Sequence, residues 1–208
     1  MPKVYRDFFF HFDVFFVIMM LLGAIAYVVY SGLTFVLVGA FVLGLIIFSF
    51  SEYVTHRFIF HMKPPENAFM LKLIKRLHYD HHVHPNDLSL LFLPLWYSIP
   101  NLFVLAAVFY VFIQSFLITL SFSGGLMCML LLYEWKHYIA HRPIKPKTKF
   151  GQWLKKTHIL HHFKNENYWY GVSNPVFDKI FGTLKDEKEV ETSKTARDLE
   201  KRKYKSTT

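Results

Sequence analysis

The sequence predicts an all-α integral membrane protein. Three observations carry that reading: apolar stretches of spanning length, basic residues confined to one side of them, and histidines gathered at helical spacings just outside them. Hydrophobic residues make up 53% of the 208-residue chain and aromatic residues 19%, with 23 phenylalanines. That balance exceeds what an ordinary soluble domain carries.

The spans follow in order along the chain. Phe12 to Tyr30 and Leu33 to Ser51 are each near the roughly 20 apolar residues that a bilayer core requires, and neither carries a charge beyond Asp13. They form a hairpin turning at Ser31-Gly32. A second apolar region, Leu88 to Tyr133, is long enough for two more spans. A turn at Gln114-Ser115 leaves 18 residues, Phe116 to Tyr133, for the last span, whereas a turn between Ser121 and Gly125 leaves only 8 before Glu134. Length therefore selects the first turn, and four spans in two hairpins result.

Charge gives the orientation. All 24 lysines and arginines lie before Phe12, between Tyr53 and Leu88, or after Glu134, and neither hairpin tip carries one. By the positive-inside rule that side is the cytoplasm. The formal charge of +9 belongs to these span-flanking residues, and no nucleic-acid motif accompanies them, so a nucleic-acid partner is excluded. Only Lys3 and Arg6 precede the first span and no small-residue cleavage site follows, so that span is expected to stay in the mature protein. The single cysteine, Cys128, excludes an intrachain disulfide and a cysteine-rich zinc site, and reads as a small packing residue. Beyond Leu184 the chain becomes a mixed-charge tail. One domain over residues 1–185 is therefore expected, followed by a tail over 186–208 that forms a solvated helix or stays disordered.

Ten of the 12 histidines fall into four clusters: His56 with His61, His78 with His81 and His82, His137 with His141, and His158 with His161 and His162. All four lie on the basic side. Neutral imidazole is the commonest metal ligand, and rings three or four residues apart on a helix share a face. Ten rings exceed what one ion accepts, so two ions with five rings each is the economical partition. Burying so many imidazoles without partners would be costly, which weighs against scattered core histidines. Residues five apart, such as His56 and His61, diverge by about 140° on a regular helix, so they are expected to serve different ions. Adjacent His81 and His82, and His161 and His162, diverge by about 100°, so each doublet is expected to straddle the two ions. His11, alone, reads as structural. The fold class that results is four transmembrane helices in two hairpins with a cytosolic helical cap holding a histidine-rich dinuclear metal site.

Imidazole ligation suits zinc, iron, copper or nickel, but ten ligands for two ions fit five-coordinate iron that keeps a position for oxygen better than a closed structural zinc site. A site at the cytoplasmic surface of the bilayer, within reach of an acyl chain, fits oxidation of a lipid C–H bond. EYVTHRFIFHMKPP at 52–65 resembles the first histidine box of fatty acid 2-hydroxylases, members of the membrane fatty acid hydroxylase and sterol desaturase superfamily. LHYDHHVHP at 77–85, YEWKHYIAH at 133–141 and LKKTHILHHF at 154–163 resemble the later boxes in order and approximate spacing, and GVSNPVFDKIFGT at 171–183 resembles the segment that closes the catalytic domain.

The resemblance implies oxygen-dependent hydroxylation of a fatty acyl chain at the carbon next to the carboxyl group, at a di-iron centre whose sites also accept zinc. It implies one ion on His56, His78, His81, His158 and His161, and the other on His61, His82, His137, His141 and His162. His84 lies outside that pattern and is expected to act behind the ligands or structurally. Eukaryotic members carry an N-terminal cytochrome b5-like domain. Only eleven residues precede the first span here, so electrons are expected from a separate cytochrome b5-like or ferredoxin-like donor. The compact chain suggests a bacterial inner membrane, or the endoplasmic reticulum in a eukaryotic cell. Other oxidations in the superfamily, of sterols or carotenoids, form the alternative. A non-catalytic metal-binding protein or transporter would need ionisable residues along the spans, which offer little beyond Asp13 and Gln114.

Several further residues invite a role. Glu52, four before His56, and Glu134, three before His137, stand where a carboxylate can accept a ring N–H and fix its tautomer. Asp80 and Asp178 are weaker candidates. Tyr168-Trp169-Tyr170 and Trp153 read as an interfacial aromatic belt rather than a substrate portal. Pro64-Pro65 and Pro143 are expected to end helices after histidine boxes.

Overall fold

A computed structural model describes residues 2–206, with side chains through Arg202. It is helical throughout, with no strand among the described residues. The chain begins with a short helix α1 (Lys3–Phe9), followed by α2 (Phe12–Tyr30) and α3 (Phe35–Val54). α3 passes directly into a π-helical turn, Thr55–Phe60. The segment up to the second apolar region holds α4 (Ala68–Ile74), a second π-helical turn (Lys75–Tyr79), α5 (Asp80–Val83) and α6 (Leu88–Leu91). α7 (Leu95–Ile113), α8 (Phe116–His141), α9 (Lys149–Phe163) and α10 (Val176–Ile180) complete the main helices. A 3₁₀ turn at Glu187–Glu189 and a 3₁₀ helix at Leu199–Ser206 follow.

Four stretches are long and apolar enough to cross a bilayer: Phe12–Tyr30, Phe35–Phe60, Leu88–Ile113 and Phe116–His141. The protein is an integral membrane protein. The second turn falls where length placed it, with Gln114 in the left-handed region at φ 52°. Two helices run further than the sequence suggested. α8 continues past Tyr133 to His141, because charge alone does not end a helix and the first breaker is Pro143. α3 likewise continues past Ser51 to Val54.

The chain divides into two compact units, residues 1–50 with 93–135, and residues 51–92 with 136–208. The first is the helical membrane unit. There α3 and α8 approach closely through Gly44 and Gly125, where an added Cβ would collide with the Phe122 and Phe41 carbonyls respectively. Ser121 donates to the Leu37 carbonyl at 2.6 Å in the same seam. Asp13 accepts from the Leu95 N–H at 2.9 Å and Glu134 from the Leu93 N–H at 3.0 Å, so two carboxylates meet the partial positive charge at the start of α7. Large apolar side chains such as Phe35, Phe103 and Phe112 point outward, as lipid-facing residues do.

The second unit carries every clustered histidine. It also overturns the expectation of a solvated or disordered tail over residues 186–202. Val190, Thr195, Ala196 and Leu199 are buried, and Leu199 packs with Ile74 and Tyr79. Overall polarity hid the few apolar residues that anchor the segment. The side chains of 203–208 fall outside those described.

Candidate metal centre

The ten clustered histidines come together in two groups of five, and all ten are buried. Cluster one contains His56, His61, His78, His82 and His161; cluster two contains His81, His137, His141, His158 and His162. Within each, one ring nitrogen per residue lies within 4.8 Å of all the others. In cluster one the Nε2 atom of His61 lies 2.8 Å from that of His78 and 3.0 Å from that of His161, while His78 and His82 are 3.0 Å apart. In cluster two the corresponding distances are 2.8 Å for His81 to His137 and 2.9 Å for His141 to His158.

This partition corrects the expected one. His56 and His61 were assigned to different ions by their divergence on a regular helix, yet they share cluster one. The cause is the π-helical turn between them: the His61 N–H reaches the His56 carbonyl at 3.1 Å, and such i to i+5 bonding widens the turn so that residues five apart come onto one face. Elsewhere the i, i+4 pairs stay together, so His78 joins His82 and His158 joins His162, whereas i, i+3 pairs separate. The adjacent doublets straddle the clusters as anticipated. His81 and His82 part company, as do His161 and His162. The stacked rings of His82 and His162, with centroids 4.0 Å apart, join the two groups.

The rings are aimed by carbonyls. Nδ1 of His56 lies 2.5 Å from the Tyr170 carbonyl, Nδ1 of His161 2.7 Å from the Tyr168 carbonyl, and Nδ1 of His82 2.7 Å from the Ala196 carbonyl. A carbonyl only accepts, so each of these rings carries its proton on Nδ1 and turns an Nε2 lone pair inward. Burial holds His61, His78 and His161 well below the ordinary imidazole value and takes His82 down to about 3. In cluster two it likewise depresses His81, His158 and His162. The rings are therefore neutral near pH 7. Nε2 of His56 and Nε2 of His162 are buried without a hydrogen-bond partner. Converging neutral lone pairs of this kind are costly on their own and are satisfied by a cation, so the donor set fits a metal.

Behind cluster one stands the loop after α9. Trp169, at φ 58° and 2% exposed, reverses the backbone between Tyr168 and Tyr170, whose carbonyls both reach histidines of this cluster. Two buried carboxylates hold the loop. Asp178 accepts from the Tyr170 N–H at 2.9 Å, the Gly171 N–H at 2.6 Å and the Thr183 hydroxyl at 2.6 Å. Thr183 has spent its proton on Asp178, so Tyr53 donates to Thr183 at 2.9 Å and in turn accepts from Arg57 at 2.8 Å. Glu52 accepts from the Val172 and Ser173 N–H groups, each at 2.9 Å, and from the Ser173 hydroxyl. Glu52 thus serves His56 through the loop that presents the Tyr170 carbonyl.

Other anticipated residues fall elsewhere. His84 is exposed and closes the turn after α5, with its N–H on the Asp80 carbonyl at 2.8 Å. His11 precedes α2, with Nδ1 3.5 Å from Asp13. Asp80 faces Lys75 at 3.8 Å near the surface. Trp169 and Tyr170 are buried at 2% and 5% exposure, so Tyr168 to Tyr170 is no interfacial belt: its backbone carbonyls hold His161 and His56. Lys155, which the sequence did not single out, donates to the carbonyls of Ile139, Arg142 and Ile144 at 2.7 to 3.0 Å and caps the end of α8. Its signal is a lysine three residues before a clustered histidine, on a helix that meets another helix's end.

Four spanning helices and two buried five-imidazole clusters define a membrane metalloprotein of the histidine-box kind. The chain belongs to the fatty acid hydroxylase family, whose model matches residues 41–183. It is 38% identical over 154 residues to a mouse protein named fatty acid 2-hydroxylase, a match covering 72% of this chain and 40% of that one. It is 30% identical over 165 residues to dihydroceramide fatty acyl 2-hydroxylase FAH2 of Arabidopsis thaliana, covering 74% of this chain and 64% of the relative. The chain thus spans well under half the length of the mouse relative. Among solved structures, full-length scs7p with only its hydroxylase domain visible is similar at a TM-score of 0.67 and 27% identity, over 86% of this chain and 65% of that one.

Proposed function

We propose that the protein hydroxylates a fatty acyl chain at the 2-position, with one iron ion held by each cluster. The observation that carries the reading is the pair of buried clusters, each with five converging neutral imidazoles, in a membrane chain whose relatives bear the names given above. Bound iron supplies the redox chemistry by which R–H, O₂, two electrons and two protons become R–OH and H₂O. The side chains hold and orient. The ten histidines provide nitrogen donors, the carbonyls of Tyr168, Tyr170 and Ala196 fix three tautomers, and burial excludes bulk water from all ten rings. Neither a nucleophile nor a general base is asked of the protein.

The lysines and arginines beside the spans support a cytoplasmic site in this reading, in a bacterial inner membrane or the endoplasmic reticulum. They also suit an acidic electron carrier, cytochrome b5-like or ferredoxin-like. Residues 1–185 serve as the hydroxylase domain, with the rest following as a charged C-terminal segment. Mass spectrometry of lipids from cells with and without the gene tests the function. Under ¹⁸O₂, 2-hydroxyacyl lipid should appear only with the gene and carry one labelled oxygen. Its absence, or oxygen drawn from water, overturns the proposal.

A further inference from the structure

We infer that residues 187–202 form a clasp that positions the ligands of cluster one, with Ala196 and Arg202 as its points of contact. This rests on the reading that each cluster holds one ion. The clasp touches two ligands directly. The Ala196 carbonyl accepts the Nδ1 proton of His82 at 2.7 Å, which keeps that ring's Nε2 lone pair turned inward. Arg202 Nη1 donates to the His61 carbonyl at 2.7 Å. The Nε2 of His61 lies against both His78 and His161, so it ties two neighbours of its cluster together. His61 also ends the π-helical turn, so a contact at its carbonyl fixes the backbone just where the geometry departs from an ordinary helix.

The segment is built to hold that position. Arg202 is anchored on Glu166, with Nη2 and Nε at 3.1 and 3.2 Å from Oε1, and Glu166 is 1% exposed. The same carboxylate oxygen accepts from the Thr195 hydroxyl at 2.5 Å, which ties the Ala196 end of the clasp to the Arg202 end. Along the way the Ser193 N–H bonds the Lys164 carbonyl at 2.7 Å, Leu199 is fully buried, and Glu200 pairs with Lys75 at 2.7 Å. A planar guanidinium that bridges a buried carboxylate and a ligand's carbonyl is a geometric clamp that a flexible ammonium reproduces only in part.

The test is metal retention by the full-length protein in lipid nanodiscs, loaded with cobalt(II) and challenged with a chelator. Arg202→Ala should weaken one of the two ions by about 10-fold to 100-fold and leave the other as in the wild type. His82→Ala should weaken the same ion, identified by the change in its visible absorption band, and His158→Ala the other. Arg202→Lys should recover part of the loss. Glu166→Gln keeps the volume but weakens the anchor, and should shift the same ion by a smaller factor should the alanine variant fold poorly. Equal weakening of both ions, or none in either variant, overturns the clasp. A wild type that binds two ions while Arg202→Ala retains both unchanged removes the clasp alone, whereas a wild type that never binds two removes the two-ion reading beneath it.

Discussion

The two clusters hold the same number of imidazoles by different means. Cluster two draws four of its five rings from long regular helices, His137 and His141 from the 26-residue α8, and His158 and His162 from the 15-residue α9. Helical periodicity sets the spacing within those pairs. Nδ1 of His81, His158 and His162 finds no hydrogen-bond partner among the described residues. Cluster one takes four rings from short or irregular pieces, His56 and His61 from a π-helical turn and its end, and His78 and His82 from a second such turn and the four-residue α5. Its rings need outside tethers, and three of them have backbone carbonyls. Where the helix is long, register sets most of the geometry; where it is not, loops and the C-terminal segment supply the constraint.

The largest effect should come from the ligands themselves. His161→Ala in cluster one and His162→Ala in cluster two should each reduce 2-hydroxyacyl product to background, since loss of one nitrogen from either site disables the pair. Metal counting should then separate the two variants, each weakening the ion of its own cluster. His84→Ala and His11→Ala should keep activity. Full activity in His161→Ala would remove the metal-centre reading.

Acid should act on both clusters alike. In the unfolded chain an imidazole titrates near 6.5, whereas burial holds His82 at about 3 and depresses its neighbours. As pH falls below about 6.5 the unfolded chain takes up protons that the folded one refuses, so folding stability drops between roughly pH 6.5 and 3. Each such ring contributes up to about 1.4 kcal/mol per pH unit in that window. Thermal unfolding of metal-free protein should fall from about pH 7.5 to about pH 5.5. A midpoint that rises over this range would mean that the rings are protonated in the folded state.

Asp178→Asn probes the tethers of cluster one. Asparagine keeps one acceptor oxygen but points an N–H₂ at a donor, so the loop that presents the Tyr168 and Tyr170 carbonyls loosens. Retention of the cluster-one ion should weaken about 10-fold to 100-fold while cluster two keeps its own. Equal loss from both clusters would mean that the loop supports the whole unit and not one site.

How much of this the sequence disclosed follows the same division. Spans, turns and the identity of the ten rings were legible because apolar length and histidine spacing are local properties of the chain. The doublets were legible too, because adjacent residues diverge on any helix. The sharing of one cluster by His56 and His61 was not, since nothing in THRFIF announces a π-helical turn. Glu166, Ala196 and Arg202 escaped notice for another reason: they act across long separations through a segment whose composition reads as solvated, and Ala196 acts through a backbone carbonyl that every residue possesses. Asp178 drew notice only as a weak candidate, because its partners are backbone N–H groups seven and eight residues upstream.

The smallest effect should come from Lys155, an outside support of cluster two. Its ammonium donates to the Ile139 carbonyl in the last turn of α8 and to the Arg142 and Ile144 carbonyls just beyond it, where the helix has run out of its own N–H groups. Lys155→Met keeps the stem's packing and removes all three donors. The carbonyls are partly reachable by water, so the loss should be about 1–3 kcal/mol, below what a sealed site would lose. That corresponds to a fall of roughly 2–4 °C in the unfolding midpoint for each kcal/mol in a chain of this size. His141 sits at the helix end beside the cap, so the cluster-two ion should become easier to extract while cluster one is unchanged, the mirror image of Asp178→Asn. Lys155→Arg, with donors at a similar reach, should restore most of the midpoint. If Lys155→Met lowered stability yet left both ions equally tight, α8 would be holding His137 and His141 without help from the cap, and the contrast between the clusters would be sharper than the cap suggests.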